Sequence, residues 1–316
     1  MKTLLKLALL ALVLIAAAAL PWWGSDVLLQ FGIDALLLAT LAQSWNILGG
    51  YTGYASFGQS TFYGLGAYGV AIAMVQLHWP FAAGMLLGVV FCAVFALLLG
   101  VPVLRLKGHY FAIATLGLAQ VMGAIVSNIG FAGANIGLVL PMLNNNLLFY
   151  EAALGLLVVA TLAVWWISRS RFGYGLIAIR ENEGAAAVMG INTTLYKVLA
   201  FVIAGVLAGL AGGIHAYWIT FLDPAGAFDL TLNVKMIIMA VFGGPGTVFG
   251  PVVGAFLLSA ISELLAAKVT SIAALFFGLV IILAVVAMPR GLADLRRRIR
   301  RLGLGYFADN IRRNKL

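Results

Sequence analysis

Long apolar runs recur along this chain, and short polar or glycine-rich segments separate them. Most runs approach the roughly 20 residues that an α-helix needs to cross the hydrocarbon core of a bilayer. Because charges inside the runs are rare, we expect an all-α polytopic membrane protein with about ten transmembrane helices and broken or re-entrant segments. The predicted spans cover residues 4–20, 27–48, 58–77, 81–103, 109–129, 149–168, 196–219, 231–244, 250–267 and 270–288.

The composition agrees with a membrane protein. Of the 316 residues, 64% are hydrophobic and 9% are charged, whereas a soluble domain is about 45–50% apolar and about 25% charged. We expect one transmembrane domain over residues 1–288 and a basic tail over residues 289–316. The first run begins with lysines and ends with small residues before Pro21, so a cleavable signal peptide is an alternative to a retained span.

The charge distribution predicts an orientation. The formal net charge is +9, and the segment from Arg290 to the end holds nine Lys or Arg against two Asp. Basic residues accumulate on the cytoplasmic side of membrane proteins, so this segment indicates a cytoplasmic tail rather than a nucleic-acid site. An even number of spans then places both termini in the cytoplasm.

The hexapeptide GLGAYG at residues 64–69 matches the dinucleotide-binding pattern G-x-G-x-x-G. That pattern binds a cofactor only where it leaves a strand and opens a helix in a βαβ unit. Here it lies inside a predicted span. Small residues let membrane helices approach closely, so we interpret it as a packing face, like the four-residue spacing of Gly205, Gly209 and Gly213.

Two glycine-rich segments interrupt the apolar pattern, at residues 48–66 and 242–254. Irregular backbone at membrane depth has to be buried in protein or line a polar cavity, and paired breaks are typical of transport pathways. Ordinary interfacial turns are the alternative. The polar side chains around the first break, with one asparagine of the eighth span, are candidate pathway residues: Thr52, Ser56, Gln59, Ser60, Thr61, Tyr63 and Asn233.

Charged residues within or near the spans are candidates for function, because charges are costly inside a membrane. Asp34, Lys235 and Glu263 are such residues, and Asp34 and Lys235 are a possible pair. Cys92 is the single cysteine and the three histidines are far apart in sequence, so we expect no metal site. No nucleophile–base cluster is evident, and we expect no catalytic residue.

The predicted cytoplasmic loop at residues 169–195 contains an alanine-rich, helix-prone stretch from Arg180 to Gly190. Gly190 is a good candidate to end that helix. Arg180 and Glu183 are three residues apart, so on one helix they would share a face and could pair with each other or reach a partner. A short polar helix between spans is a natural contact for a cytoplasmic protein.

Four stretches of the chain resemble the branched-chain amino acid permeases of ATP-binding-cassette importers, the LivM-like branch more than the LivH-like branch. They read GYTGYASFGQSTFYGLGAY, LKGHYFAIATLG, RFGYGLIAIRENEGAAAVMGINTTLYKVLAFVIAG and VFGGPGTVFGPVVGAFLL. The resemblance spans roughly residues 30–290. It implies that the cytoplasmic loop couples to an ATPase through Arg180, Glu181, Glu183, Ala185, Ala186 and Gly190. Gly184 separates the glutamate from the alanine pair, which departs from the general importer pattern.

The resemblance further implies a multi-pass protein of the bacterial inner membrane that translocates branched-chain or related neutral amino acids. Its implied partners are a second, LivH-like permease subunit, two cytoplasmic ATPase subunits and a periplasmic substrate-binding protein. The chain lacks the phosphate-binding pattern G-x-x-x-x-G-K-[ST], so ATP and Mg²⁺ are expected in the ATPase and no cofactor in this chain. A urea or short-chain amide permease on the same scaffold is an alternative, and an ion-coupled secondary transporter is another.

Overall fold

The computed structural model describes residue 21 and residues 25–266. The predicted spans at residues 4–20 and 270–288 and the basic tail lie outside the described residues. The helices are α1 Asp26–Trp45, α2 Gln59–Val75, α3 Phe81–Val103, α4 His109–Ser127, α5 Asn146–Arg169, α6 Arg171–Glu181, α7 Glu183–Val188, α8 Thr193–Ile219, α9 Pro224–Ala227, α10 Leu230–Gly243 and α11 Gly250–Ala266.

The described part of the chain is mainly helical, as predicted. Six of its helical segments are long and apolar enough to cross a membrane: Asp26–Gly50, Phe81–Val103, His109–Ser127, Asn146–Arg169, Thr193–Ile219 and Pro224–Gly243. The helix α2 has 17 residues, which is short for a complete crossing at 1.5 Å per residue, and α11 reaches the end of the described residues at Ala266. The class of polytopic all-α membrane protein is therefore confirmed. The described residues hold six such segments, two of the ten predicted spans lie outside them, and the count of about ten stays a prediction.

A small sheet that the apolar pattern did not predict joins two loops. Strand β1, Leu138–Val139, pairs antiparallel with β2, Phe221–Leu222, so that Leu138 lies opposite Leu222. Both leucines are buried. Two-residue strands carry no recognisable alternation of polar and apolar residues, which is why the sequence gives no sign of them.

The core forms where α1 and α8 meet their neighbours. Helix α1 packs against α5, α8, α10 and α11, and α8 packs against α2, α3 and α5. By contrast, α3 carries a row of exposed apolar side chains that includes Val90, Val94, Leu97 and Leu98. In water such a row would be unfavourable, but lipid tails or another membrane subunit would cover it.

Glycines allow α2, α3 and α8 to pack with their backbones in contact. A Cβ atom at Gly66 would collide with the backbone of Gly209 on α8, and one at Gly69 would collide with the backbone of Gly88 on α3. Gly66 and Gly69 belong to the hexapeptide GLGAYG, which lies wholly within α2. The interpretation of that motif as a packing face is therefore confirmed.

We predict that Gly66→Ala lowers the stability of the purified chain by about 1–3 kcal/mol, because the added methyl group has no space at the α2–α8 contact. The matched control is Gly117→Ala on α4, where an added Cβ meets no atom within 4 Å. Thermal unfolding in detergent measures both variants. Equal melting temperatures for the two variants would show that the glycine contact does not limit packing.

Candidate functional site

The two glycine-rich breaks lie between consecutive helices in the structure, and whether they are re-entrant segments or interfacial turns stays open. After α1 the chain forms a π-helical turn, Asn46–Gly50, and then an irregular segment up to Gln59. The second break separates α10 from α11, and Gly244 and Gly246 there adopt φ angles of 123° and 74°. Residues with a side chain rarely adopt such angles, so glycine is required at this turn. Both breaks leave backbone groups without helical partners.

Two buried side-chain amides at the carboxyl end of α1 form hydrogen bonds with the second break. The Asn46 amide donates to the carbonyl oxygen of Thr247 at 2.9 Å, and its own oxygen accepts from the Gly246 N–H at 2.7 Å. The Gln43 amide donates to the carbonyl oxygen of Val248 at 2.6 Å. Gln43 and Asn46 are both fully buried. We call these two residues the amide clamp, because they join two breaks that lie about 200 residues apart in sequence.

Arg180 connects the loop at residues 169–195 to the same place. Its Nη1 donates to the carbonyl oxygen of Gly50 at 3.0 Å, at the end of the first break. A Cβ atom at Gly246 would lie 3.0 Å from that nitrogen, so the second break is also in contact with the guanidinium. A charged donor makes stronger hydrogen bonds than a neutral one. Arg180 thus holds α6 against both breaks.

The prediction that Arg180 and Glu183 share one helix face is wrong, and of its two alternatives the pairing of these residues with each other is absent. Helix α6 ends at Glu181, and Asn182 has an extended backbone with φ −162° and ψ 109° before α7 begins at Glu183. Arg180 instead pairs with Glu181 at 3.0 Å. The predicted single helix from residue 180 to residue 190 is therefore two helices, and their different directions separate the side chains of Arg180 and Glu183.

Glu183 anchors α7 to the body of the protein through a buried ion pair. Its Oε1 lies 2.6 Å from Nζ of Lys197 on α8, and its Oε2 accepts from the Tyr54 hydroxyl at 2.7 Å. Lys197 also donates to the carbonyl oxygen of Leu104 at 2.9 Å, and Lys107 lies 3.8 Å from Glu183. We call Glu183, Lys197 and Tyr54 the loop anchor.

The electrostatics of the loop anchor favour the charged form of Glu183. Burial alone would raise the pKa of its carboxyl group, but the hydrogen bonds from Lys197 and Tyr54 and the charges of Lys197 and Lys107 outweigh burial, so the pKa lies below its ordinary value. Burial, followed by the neighbouring Glu183 carboxylate, raises the pKa of Tyr54. Tyr54 therefore stays a neutral donor and Glu183 a charged acceptor.

Helix α7 begins and ends with capping contacts. The Asn182 side chain accepts from the Ala185 N–H at 3.0 Å. At the other end Gly190 has a φ of 85°, and the Ile191 N–H bonds to the Ala186 carbonyl oxygen, which is the pattern of a Schellman cap. The prediction that Gly190 ends this helix is confirmed.

The outer face of α7 is apolar. Ala186 is buried against the body of the protein, whereas Ala185 is exposed. Val188 and Met189 are 88% and 82% exposed, and the sequence analysis did not single them out. Exposed apolar side chains on a short, capped and anchored helix form a surface suited to a protein partner.

The predicted pathway residues of the first break lie inside the subunit. Ser60 and Asn233 bond reciprocally: the Ser60 N–H donates to Asn233 Oδ1 at 2.8 Å, and the Asn233 amide donates to Ser60 Oγ at 2.7 Å. The Gln59 amide donates to Ser44 Oγ at 2.7 Å. Full burial is common to six of the candidates: Thr52, Ser56, Gln59, Ser60, Thr61 and Asn233. Their role in translocation stays a prediction, and what the structure gives them is a packing and hydrogen-bonding role.

The charged residues of the spans meet at one cavity of about 350 Å³. Asp34, Lys235 and Glu263 all line it, together with His215 and Tyr63. His215 Nε2 lies 3.9 Å from Asp34 Oδ1. Among the described residues no ion pair within 4 Å joins Asp34 to Lys235, so the predicted direct pairing is absent from the described part. Tyr63 is the predicted pathway residue that reaches this cavity.

Sequence reasoning missed the amide clamp and Lys197. Gln43 and Asn46 sit in the apolar run before the first break, where a side-chain amide is costly without a partner. Lys197 stands at the start of the predicted span 196–219, where a lysine is expected at the cytoplasmic interface. Side-chain amides at the end of the apolar run before a break are the feature that could have identified Gln43 and Asn46, and no feature of the sequence identifies Lys197 as an ion-pair partner.

Comparison with known families gives one match over most of the chain. Residues 27–285 match the family described as branched-chain amino acid transport system, permease component. The matched region contains nearly all of the described helices, both breaks, the cavity and α7.

Individual relatives agree with that match. The chain is 26% identical to the high-affinity branched-chain amino acid transport system permease protein LivM of Salmonella typhimurium and to that of Escherichia coli, over 92% of this chain and 76% of each relative. It is 28% identical to the autoinducer 2 import system permease protein LsrC of Yersinia pseudotuberculosis, over 56% of this chain and 55% of the relative. No solved structure matches the chain.

We predict that the two charged residues of the loop anchor, Glu183 and Lys197, contribute unequally to the stability of the protein. Lys197 is 5% exposed and Glu183 is 19% exposed. Glu183→Gln leaves a buried ammonium without its counter-charge and should cost about 2–4 kcal/mol. Lys197→Met leaves a carboxylate that water and Lys107 still reach and should cost about 1–2 kcal/mol.

Unfolding of the purified single and double variants measures this double-mutant cycle, in which the double variant should lose less than the sum of the single losses. Glu181→Gln is the control, because that carboxylate is 71% exposed and should change stability by less than about 0.5 kcal/mol. Equal and additive losses at Glu183 and Lys197 would contradict a buried pair.

Proposed function

Since this chain belongs to the family of branched-chain amino acid transport system permease components, we propose that it is the permease subunit of an ATP-binding-cassette importer for branched-chain or related neutral amino acids. The observation that carries the proposal is the family match over residues 27–285, together with two LivM relatives that align over 92% of this chain. The LsrC relatives import a different solute, so the scaffold alone does not define the substrate.

The energy for transport enters from a separate subunit in this proposal. The sequence has no phosphate-binding loop of the form G-x-x-x-x-G-K-[ST], so two cytoplasmic ATPase subunits bind ATP and Mg²⁺. Helix α7 is the contact for one of them, since it exposes Val188 and Met189 and is anchored on its other side by Glu183. A periplasmic binding protein delivers the amino acid.

The contacts of the cytoplasmic loop suggest how ATPase movement reaches the membrane segments. A push on α7 is transmitted to α8 by the Glu183–Lys197 pair and to the first break by Tyr54. Arg180 carries the movement of α6 to Gly50. Because packed elements shift as discrete bodies rather than bending continuously, the loop and both breaks move together.

The proposed orientation places both termini in the cytoplasm of a bacterium, with the chain in the inner membrane. Two loops predicted to share the cytoplasmic face are in contact, because Lys107 lies 3.8 Å from Glu183. Two loops predicted to share the opposite face pair through β1 and β2. The exposed apolar row on α3 offers a surface for the second, LivH-like permease subunit or for lipid.

The direct test of this function is uptake of radiolabelled leucine by cells that lack the gene for this chain. Restoring the gene together with its ATPase and binding-protein partners should restore uptake, and uptake should require an intact ATPase. Urea uptake in the same cells tests the amide-permease alternative. Transport by the purified chain alone would contradict an ATP-driven importer and favour an ion-coupled transporter.

We predict that Gly190→Val abolishes leucine uptake and weakens co-purification of the ATPase. Gly190 has a φ of 85°, and a β-branched residue there costs more than about 1 kcal/mol, so the end of α7 would rearrange. An added Cβ meets no atom within 4 Å, so the effect comes from the backbone alone.

Gly190→Asn is the matched control, because asparagine tolerates a left-handed backbone far better than valine does. We expect Gly190→Asn to retain most of the uptake and of the bound ATPase. Wild-type uptake and ATPase binding by the valine variant would show that this loop is only a connector.

A further inference from the structure

The cavity at Asp34, Lys235 and Glu263 has no role in the coupling path described above. Its volume of about 350 Å³ falls within the range of roughly 300–1,000 Å³ that is common for small-molecule sites. Its charged groups come from three helices and one helix cap: Asp34 is on α1, Asp229 caps the start of α10, Lys235 is on α10 and Glu263 is on α11. Charges at membrane depth are rare and usually line a route for a solute.

The charges of this cavity are not neutralised by one another in direct contacts. The Lys235 ammonium and the Glu263 carboxylate make no ion pair or hydrogen bond with any described residue. Asp34 itself is 55% exposed, and His215 Nε2 lies 3.9 Å from its Oδ1. One ammonium and three carboxylates therefore line one space. The Asp229 carboxylate already accepts from the N–H and the hydroxyl of Thr231, whereas Lys235, Asp34 and Glu263 have unfilled hydrogen-bonding capacity.

Two hydroxyl groups on α11 also face this space without a partner. Ser259 and Ser262 line the cavity, and the Oγ atom of each is buried and makes no hydrogen bond. Ser259 is only 7% exposed. A buried hydroxyl without a partner costs free energy, and in a helix such a serine would normally bond back to the preceding turn. Unpartnered hydroxyls beside open space indicate a ligand.

Apolar side chains of the described residues form a further part of the wall. They come from α1 and α10 and include Phe31, Leu38, Leu41, Leu232 and Met239. The cavity thus combines opposite charges, hydroxyl groups and an aliphatic surface. This combination matches the α-carboxylate, the α-ammonium and the hydrocarbon side chain of a neutral amino acid.

We propose that this cavity is the site at which the permease itself binds its substrate, an aliphatic α-amino acid in its zwitterionic form. Lys235 pairs with the α-carboxylate, Asp34 and Glu263 with the α-ammonium, and Ser259 and Ser262 donate to the carboxylate. The aliphatic side chain lies against the leucines and Met239. The inference rests on the proposed importer function and narrows its substrate class, since urea and short-chain amides carry no charge to match these groups.

The test uses the importer assembled from this chain and its partner subunits in lipid nanodiscs, without the binding protein, so that only sites in the importer are probed. In a Cys92→Ala background, Ser259→Cys is labelled by a small charged methanethiosulfonate. We expect leucine to slow labelling severalfold. Leucinamide, 4-methylpentanoate and urea, which lack the carboxylate, the ammonium or both, should not slow it. Leu257→Cys, on the same helix but outside the cavity wall, should show no protection by leucine.

The second measurement is of leucine uptake. In cells with the binding protein, Lys235→Met should raise the KM for leucine uptake at least about tenfold, which corresponds to the loss of one charge-assisted contact. Lys235→Arg, which keeps a cation, should lose less. ATPase co-purification should match the wild type in both variants, which separates a binding defect from misfolding.

The outcomes distinguish the two proposals. If the wild-type importer takes up leucine but leucine gives no protection and Lys235→Met has an unchanged KM, the cavity site is refuted and the importer function stands. Protection by urea equal to that by leucine would also refute the zwitterion site. If the wild-type importer takes up no amino acid at all, the proposed function itself fails.

Discussion

A helix that ends among buried residues leaves backbone N–H and C=O groups that no water is present to satisfy. This constraint governs the arrangement of the described part of the chain, because α1 and α10 both stop in glycine-rich segments. The amide clamp supplies partners for some of these groups through two buried side chains: Gln43 and Asn46 form hydrogen bonds with the backbone of residues 246–248. The backbone groups of the second break are therefore satisfied by residues next to the first break.

The clamp also lies between the loop at residues 169–195 and the helices that line the charged cavity. Asp34 lies on α1, and Asn46 follows the end of that helix. At 1.5 Å per residue the two residues are about 18 Å apart along the helix axis. Helix α10 carries Lys235 and ends at the second break, and α11 begins there and carries Glu263. All three helices that supply charges to the cavity thus meet at the clamp, where Arg180 arrives from the cytoplasmic loop. A shift of the loop would alter the spacing of the cavity charges.

The sequence predicts the helical class, both breaks and the role of Gly190 because each has a local cause. Apolar run length indicates a span, and a glycine after an alanine-rich stretch indicates a helix end. The packing role of GLGAYG was likewise predictable from residue size and context. These properties require no knowledge of which helices are neighbours.

The partners of the polar side chains could not be predicted in this way. Asn46 bonds to residues about 200 positions away, and Glu183 pairs with Lys197 rather than with Arg180 because one extended residue, Asn182, changes the chain direction. The charges of Asp34, Lys235 and Glu263 were evident from the sequence, whereas their meeting at one cavity depends on the packing of α1, α10 and α11. Long-range contacts of single polar residues leave no periodic pattern.

Amide hydrogen exchange of the second break tests the central claim most directly. Residues 244–249 lie outside any helix, yet the Gly246 N–H donates to Asn46 Oδ1 at 2.7 Å. In the purified chain the Gly246 N–H should exchange slowly, and Asn46→Leu should accelerate its exchange while leaving the loop at residues 130–137 unchanged. Fast exchange of the Gly246 N–H in the wild-type chain, or slow exchange that survives Asn46→Leu, would contradict the view that the amide clamp holds the two breaks together.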